Sequence, residues 1–374
     1  MAEYLYIHIP FCLRKCIYCD FLSVPYADDL ADRYIDSLCR ELSLRKDSAG
    51  LLKTVYIGGG TPSVLPARSL GRLFDCLGKC FSFSDDTEIT LEANPGTLDE
   101  EKIAAVRSSG VTRISIGVQS FHDGELKTLG RIHSSRDAIH AAALLRKAGL
   151  ENYSIDLMYG IPGQTRETWE QTLSHARGLS PRHISAYELT PEKKTPLHNI
   201  IRSGGMHIPE EGLVLEMYDY AIDHLAASGY EQYEISNFSL PGSQCRHNLN
   251  YWNRGEYLGA GAGAHSFKGG VRSSNVEDIR EYCDCADRGG IPSVEILRIG
   301  ALEAAREFIF LGLRKTGGID ISDAKALGLD IVRAGSLLLQ EGYLMTGGGH
   351  LSLTRKGMPV SNAVIVKLFE ELNL

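Results

Sequence analysis

Cys12-Leu13-Arg14-Lys15-Cys16-Ile17-Tyr18-Cys19 is the stretch that decides how this chain reads: three thiols within eight residues, directly after an apolar run from Tyr4 to Phe11 that reads as a strand. Thiolates bind iron–sulfur clusters and zinc, and both usually take four protein ligands. A fourth is missing here, because Asp20 and Phe21 follow and Cys39 lies well along a predicted helix. A cubane held by three cysteines keeps one iron open, by the logic through which a catalytic metal reserves a position for substrate. The alternatives are a zinc site completed by His8 or a distant residue, and a packed trio of reduced thiols.

Outward from this loop, short β-branched runs alternate with amphipathic helices, the pattern of parallel βα units. The later strands are expected at Lys53–Ile57, Glu88–Ala93, Arg113–Val118, Tyr153–Met158 and His183–Tyr187, with helices over Ala27–Leu44, Pro66–Phe81, Asp99–Ser109, Ser135–Ala148 and Thr165–Gly178. Six strands with intervening helices predict an α/β fold, a partial (β/α)6 barrel rather than the full eight, with ligands gathered at the carboxyl ends of its strands.

The chemistry-bearing residues fall at those ends. Gly58-Gly59-Gly60-Thr61-Pro62 follows the second strand, and glycines there let a polar ligand approach the backbone closely. Glu92 closes the third strand, Gln119 the fourth and Asp156 the fifth. A polar residue set into an apolar strand must find a partner or incur a desolvation cost of roughly 1–3 kcal/mol. One could belong to an ordinary buried network; three at successive strand ends line a polar ligand. Arg131, in Leu-Gly-Arg-Ile-His, can fork onto a carboxylate or sit as a surface arginine.

The totals bound the rest. At 374 residues, 43% hydrophobic and 23% charged, the chain reads as a large globular domain plus a smaller one. A net charge of -8 argues against a general nucleic-acid binder. No apolar run is long enough to span a bilayer, and Met1-Ala2-Glu3 lacks the basic start of a secretory signal, so export is not expected. Nine scattered cysteines do not make a disulfide framework. Cys76 and Cys80 share a helix face and read as packing, and Cys283 and Cys285 read as part of a solvated segment.

After Tyr187 the βα rhythm weakens. A strong helix, Ile208–Ser228, leads to Cys245-Arg246-His247-Asn248-Leu249-Asn250-Tyr251-Trp252 and the glycine-rich Gly259–Ser266, which has no phosphate-loop pattern. His247 beside two aromatics has the makings of an axial haem ligand, since flat rings pack against a macrocycle; a hydrogen-bonded structural histidine is the other reading. From Ile299 to Leu374 the order is helix, short helices, a hairpin at Tyr343–Thr354 and a final helix, Gly357–Leu372, which resembles a winged-helix module. Its eight Lys/Arg against eight Asp/Glu suit a lid or docking domain better than a DNA grip. The organisation expected is 1–230 as core barrel, 231–298 as the segment that carries the His247 haem motif and connects the two domains, and 299–374 as a C-terminal winged-helix-like lid.

Cys-x3-Cys-x2-Cys with an aromatic before the last cysteine resembles the signature of the radical S-adenosylmethionine (SAM) superfamily. With Tyr6-Ile-His-Ile-Pro-Phe-Cys12, Gly-Gly-Gly-Thr-Pro, Gly-Val-Gln-Ser-Phe, Ile-Asp-Leu-Met-Tyr-Gly-Ile-Pro-Gly-Gln-Thr and His247-Asn-x-x-Tyr-Trp, the chain resembles the coproporphyrinogen III oxidase-like branch of it. The resemblance implies a [4Fe–4S] cluster on Cys12, Cys16 and Cys19 with SAM chelating the fourth iron. It further implies SAM contacts from Tyr6, Tyr18, Gly59, Gly60, Thr61, Glu92, Gln119, Arg131 and Asp156, the ribose hydroxyls falling to Gln119 and Asp156. Within that group the chain is more similar to the HemW-type haem chaperones than to the oxidase. Phe21 stands where the oxidase has a further cysteine, and almost nothing precedes the cluster loop where the oxidase has a longer arm.

The chaperone branch implies haem binding through the His247 motif and delivery to apo-haemoprotein acceptors, some of them membrane-bound. It also implies a cytoplasmic protein that reaches the inner membrane only through those acceptors, and a flavodoxin or ferredoxin as electron donor if SAM is cleaved. The alternative is an oxygen-independent coproporphyrinogen III oxidase, in which an electron from the cluster would release a 5′-deoxyadenosyl radical for oxidative decarboxylation. Gln119, Arg131 and Asp156 serve both. A third reading, radical modification of RNA or protein with a docking module, is disfavoured for nucleic acid by the neutral charge of residues 299–374.

Overall fold

The computed structural model describes the backbone of residues 1–374 and the side chains of all but residues 295 and 296. Its centre is a nine-stranded sheet. In chain order the strands are β1 (Ala2–Ile9), β2 (Ala49–Gly59), β3 (Ser82–Ala93), β4 (Arg113–Gln119), β5 (Tyr153–Tyr159), β6 (His183–Glu188), β7 (Glu231–Gln232), β8 (Asn237–Ser239) and β9 (Leu258–Ala260). The spatial order is β9-β1-β2-β3-β4-β5-β6-β8-β7. From β1 to β6 each strand lies parallel beside its predecessor. That is the one-directional winding of a barrel, and β9 and β7 leave it open at its two edges.

Strand alternation explains why this sheet has one apolar and one polar face. Val55 and Ile57, Leu91 and Ala93, Ile114 and Ile116, Ile155 and Leu157, and Ile184 and Ala186 belong to the main hydrophobic core with the covering helices. Their neighbours in the same strands, among them Tyr56, Glu92, Ser115, Asp156 and Ser185, line a cavity on the concave side. The helices start where their caps allow: Ser134 with Asp137, and Thr165 with Thr168, form reciprocal capping boxes, and Asp99 accepts from the Lys102 N–H.

Two expectations change. Residues 231–298 are no mere connector: β7, β8 and β9 extend the sheet, β9 parallel to β1, while Leu258, Ala260, Ile279, Tyr282 and Cys283 enter the main core. Cys283 is therefore buried, not solvated. Its helix, Ile279–Asp287, turns Asp284 and Asp287 outward to Arg33, and Asp287 also to Arg40, on the helix Asp28–Arg45.

The C-terminal unit has its own core, including Ile309, Leu313, Leu338, Leu351, Val364 and Leu368, and a three-stranded sheet of Ile319–Asp320, His350–Leu353 and Leu344–Gly347. The expected hairpin and final helix are present, the latter over Ser361–Leu372. Among the described residues, those lining the cavity include none of this unit. It packs on the helix Arg246–Trp252 and its flanks: the Arg314 guanidinium lies 4.6 Å from the Trp252 ring centroid, Arg254 pairs with Glu307 at 2.7 Å, and Lys315 donates to Asn253 Oδ1 at 2.6 Å. Residues 299–374, expected as a lid or docking domain, make these contacts with this helix and its flanks.

Candidate functional site

Cys12, Cys16 and Cys19 stand at the mouth of the concave cavity, about 390 Å3 in volume, which lies within the range of small-molecule sites. The loop is held by its ends: Val24 N–H bonds Pro10 C=O, Tyr26 N–H bonds Cys12 C=O, and Ile17 N–H bonds Leu129 C=O. Burial pushes the Cys12 and Cys19 thiols up. His8, the candidate to complete a zinc site, has both ring nitrogens engaged, with Tyr6 Oη at 3.0 Å and Leu22 O at 2.9 Å. Among the described residues no three His, Cys, Asp or Glu side chains converge on a single-ion site. Tetrahedral zinc would need sulfurs about 3.8 Å apart, whereas a cubane takes each thiolate on a different iron.

The glycine turn after β2 lies against the cysteine loop. Gly60 N–H donates to Ile9 O at 2.9 Å and Thr61 N–H to Phe11 O at 2.8 Å. A Cβ on Gly59, whose φ is +114°, would stand 2.5 Å from the His8 ring, and one on Gly60 would stand 2.7 Å from the Phe11 carbonyl oxygen. Side chains are excluded there, and the backbone itself lines the cavity.

Glu92 accepts from the Tyr56 hydroxyl at 2.7 Å and from the Gly59 N–H at 3.1 Å. Burial raises its carboxyl to about 7, against the opposing effect of the Tyr56 hydrogen bond. Asp156 accepts from three serines, Ser185 at 2.8 Å, Ser115 at 2.9 Å and Ser154 at 3.0 Å. Gln119 occupies a bulge, since Gly117 pairs with Asp156 and Gln119 with the next residue, Leu157; its φ of +69° is left-handed. Such a conformation costs about 1–3 kcal/mol and re-aims a side chain that a regular strand would direct elsewhere.

Arg131 joins the two halves of the site. Its Nη1 reaches Cys16 Sγ at 3.5 Å, and its Nη2 donates to Asn94 Oδ1 at 2.7 Å and to Gly117 O at 2.5 Å. Its Nε is buried without a partner. Asn94 in turn donates to Thr61 Oγ1 at 2.8 Å, and Thr61 Oγ1 lies 3.7 Å from Cys12 Sγ. Tyr18 also lines the cavity and packs beside Leu129 and Met158.

The cavity thus gathers Cys12, Cys16, Cys19, Tyr18, Gly59, Gly60, Thr61, Glu92, Gln119, Arg131 and Asp156. Tyr6 and His247 are not brought to it. Tyr6 lies one layer behind, 6.3 Å from the Tyr56 ring in a stack. His247 is 1% exposed, with Nδ1 2.6 Å from Thr54 Oγ1 and Nε2 3.0 Å from the Tyr251 hydroxyl. Burial lowers its imidazole to about 3, so it is neutral, and neither nitrogen is free for an iron. Its neighbour Asn248 does line the cavity.

Tyr56, Asn94 and Arg113 were not singled out from sequence. Arg113, 3% exposed, lines the cavity with its Nε unpartnered. Asn94 carried a signal: it stands two residues beyond Glu92 at the same strand end.

The cavity fits a cluster on three thiolates with a polar cofactor beside it: three cysteines line it together, a backbone cradle excludes side chains, and an arginine keeps one donor in reserve. Comparison with known proteins agrees. Residues 6–176 match the radical SAM superfamily, and residues 300–360 match the HemN C-terminal domain. A heme chaperone HemW of Bacillus subtilis is 36% identical over 375 residues, 98% of this chain and 99% of that protein. The HemW of Haemophilus influenzae is 42% identical over 268 residues, 70% of this chain and 69% of its own. Coproporphyrinogen III oxidase (HemN) from Escherichia coli shares the fold, with a TM-score of 0.85 at 22% identity over 98% of this chain and 90% of that one. A radical SAM domain carries a [4Fe–4S] cluster and SAM. With a relative of that identity matched from end to end, the chain belongs to the HemW family of the radical SAM superfamily.

Proposed function

We propose that this protein binds haem and passes it to apo-haemoproteins, with a [4Fe–4S] cluster on Cys12, Cys16 and Cys19 and SAM in the cavity beside it. The observation that carries this reading is the end-to-end likeness to a heme chaperone HemW. Phe21 supports it. Where the oxidase pattern has a further cysteine, this chain sets a phenylalanine, 64% exposed, at the rim of the cavity, a flat apolar surface of the kind that packs on a macrocycle.

A cluster held by Cys12, Cys16 and Cys19 would supply, when reduced, an electron to the sulfonium of SAM where SAM is cleaved. The chain's own residues bind and orient. Gly59, Gly60, Thr61 and Glu92 serve the amino end of the cofactor, Gln119 and Asp156 its ribose hydroxyls, and Arg131 its carboxylate, while Tyr18 walls the cavity and Tyr6 backs it. Haem is cargo in this reading, and its iron is not ligated by His247 in the conformation described. The acceptors include membrane-bound haemoproteins, the protein works in the cytoplasm, and a flavodoxin or ferredoxin is the electron donor where SAM is cleaved.

The test is a pair of assays on anaerobically reconstituted protein. Haem titration is expected to give a Soret band, followed by transfer to a soluble apo-haemoprotein. Incubation with coproporphyrinogen III and SAM is expected to give no decarboxylation. Decarboxylation without a haem band overturns the proposal in favour of the oxidase.

A further inference from the structure

The segment Arg246–Trp252 closes the barrel at the amino-terminal side of its strands. Glu88, on β3, accepts from the backbone N–H groups of Arg246 at 3.1 Å and His247 at 3.2 Å, and the Arg246 guanidinium donates to Lys53 O and Asp86 O. Inside this plug the His247 ring is fixed at both nitrogens, by Thr54 and Tyr251. Its face then packs on Tyr56, with ring centroids 5.2 Å apart and planes at 29°. Tyr6 lies beside both rings, its centroid 6.3 Å from that of Tyr56 and 6.5 Å from that of His247. The Tyr56 hydroxyl has one partner, Glu92 Oε1 at 2.7 Å, and the second oxygen of Glu92 takes the Gly59 N–H.

A continuous chain of contacts therefore runs from the plug to the glycine turn beside the cysteine loop. Thr54 and Tyr251 orient His247, His247 orients the Tyr56 ring, Tyr56 orients Glu92, and Glu92 fixes the turn. We propose that His247 is a positioning residue for SAM: it acts through Tyr56 on Glu92, and the motif His247-Asn-x-x-Tyr251-Trp252 sets cofactor affinity from behind the cavity. Each link is a packed ring or a single hydrogen bond, and the imidazole is the ring stacked nearest to Tyr56, so displacing it loosens the Tyr56 ring and, with it, the carboxylate. This deepens the reading above, resting on its placement of SAM beside Glu92, and concerns how the cofactor is held, not whether haem is carried.

The experiment is a double-mutant cycle on reconstituted full-length protein. SAM dissociation constants are measured by equilibrium dialysis, and the EPR signal of the reduced cluster is recorded with and without SAM. Tyr56→Phe keeps the ring and deletes the hydroxyl, and is expected to weaken SAM about tenfold, the effect of losing one hydrogen bond to a charged group. His247→Gln keeps polar partners for Thr54 and Tyr251 but removes the stacked ring; a several-fold weakening and a broadened SAM-induced EPR shift are expected, at wild-type iron content.

The double variant should be no weaker than Tyr56→Phe alone, because His247 has nothing to act through once the hydroxyl is gone. Full additivity, or an unchanged SAM constant in folded His247→Gln, overturns the proposal. Should His247→Gln fail to fold, Tyr251→Phe takes its place in the cycle and is read by the same criteria. A haem titration of the same variants separates the two readings. Wild-type protein that carries no haem defeats the chaperone function and leaves this inference standing, and a flat SAM response does the reverse.

Discussion

Arg131 places a guanidinium nitrogen 3.5 Å from the sulfur of Cys16 while its other terminal nitrogen is held 2.7 Å from Asn94. The cation thus stands where thiolate charge gathers, and its direction is set by an amide that also holds Thr61. Arg131→Lys keeps the charge but cannot span Cys16, Asn94 and the Gly117 carbonyl together. SAM binding is expected to fall about tenfold or more by dialysis, with iron content near wild type. Arg131→Met should in addition move the cluster midpoint potential to more negative values in an EPR-monitored titration, because a nearby positive charge favours the reduced state.

Glu92 gives the site a pH dependence. Its carboxyl is raised to about 7 by burial, with Asp156 adding to the rise and the Tyr56 hydroxyl, the Gly59 N–H and Arg113 opposing it. Above that pH the group is an anion and favours a cationic ligand; below it the charge is lost. The SAM dissociation constant is therefore expected to rise by up to tenfold per unit as pH falls from 7 to 6, and to level off above pH 8. Glu92→Gln should bind weakly throughout and give a flat profile.

Gly59 tests the backbone cradle. An alanine there meets the His8 ring and must hold φ near +114°. A destabilisation of about 1–3 kcal/mol is expected from the strain, read as a lower midpoint in urea, together with reduced iron content after reconstitution.

Arg314 tests the packing of the C-terminal unit on the helix Arg246–Trp252. It lies over Trp252 and 3.8 Å from Glu234, a fully buried carboxylate whose Oε2 has no hydrogen-bond partner. Arg314→Ala leaves that carboxylate without its cation, so a loss of about 2 kcal/mol is expected, with faster limited proteolysis around residue 300.

Much of the site could be read from the chain because the barrel's inner face is polar while its outer face is apolar. Glu92, Gln119 and Asp156 stand out against Leu91, Val118 and Ile155, and the cysteine spacing needs no fold to be noticed. Tyr56 escaped because an aromatic in a strand looks like core until its partner across the sheet is known. Arg113 escaped because an arginine opening a strand looks like a solvated end. β9 escaped for a different reason: Leu258-Gly259-Ala260 has no pattern of its own, and becomes a strand only because β1 offers it an unpaired edge. Cys283 was misplaced by its neighbours, since Asp284 and Asp287 are charged on a helix whose other face is core.

The stopper that Arg246–Trp252 forms at one end of the barrel has a consequence for traffic. The segment is tied to the barrel by hydrogen bonds shared with Glu88, Thr54, Lys53 and Asp86, and the cavity in front of it is lined by the three cysteines. A ligand the size of a nucleoside that enters there comes to rest against whatever those cysteines hold.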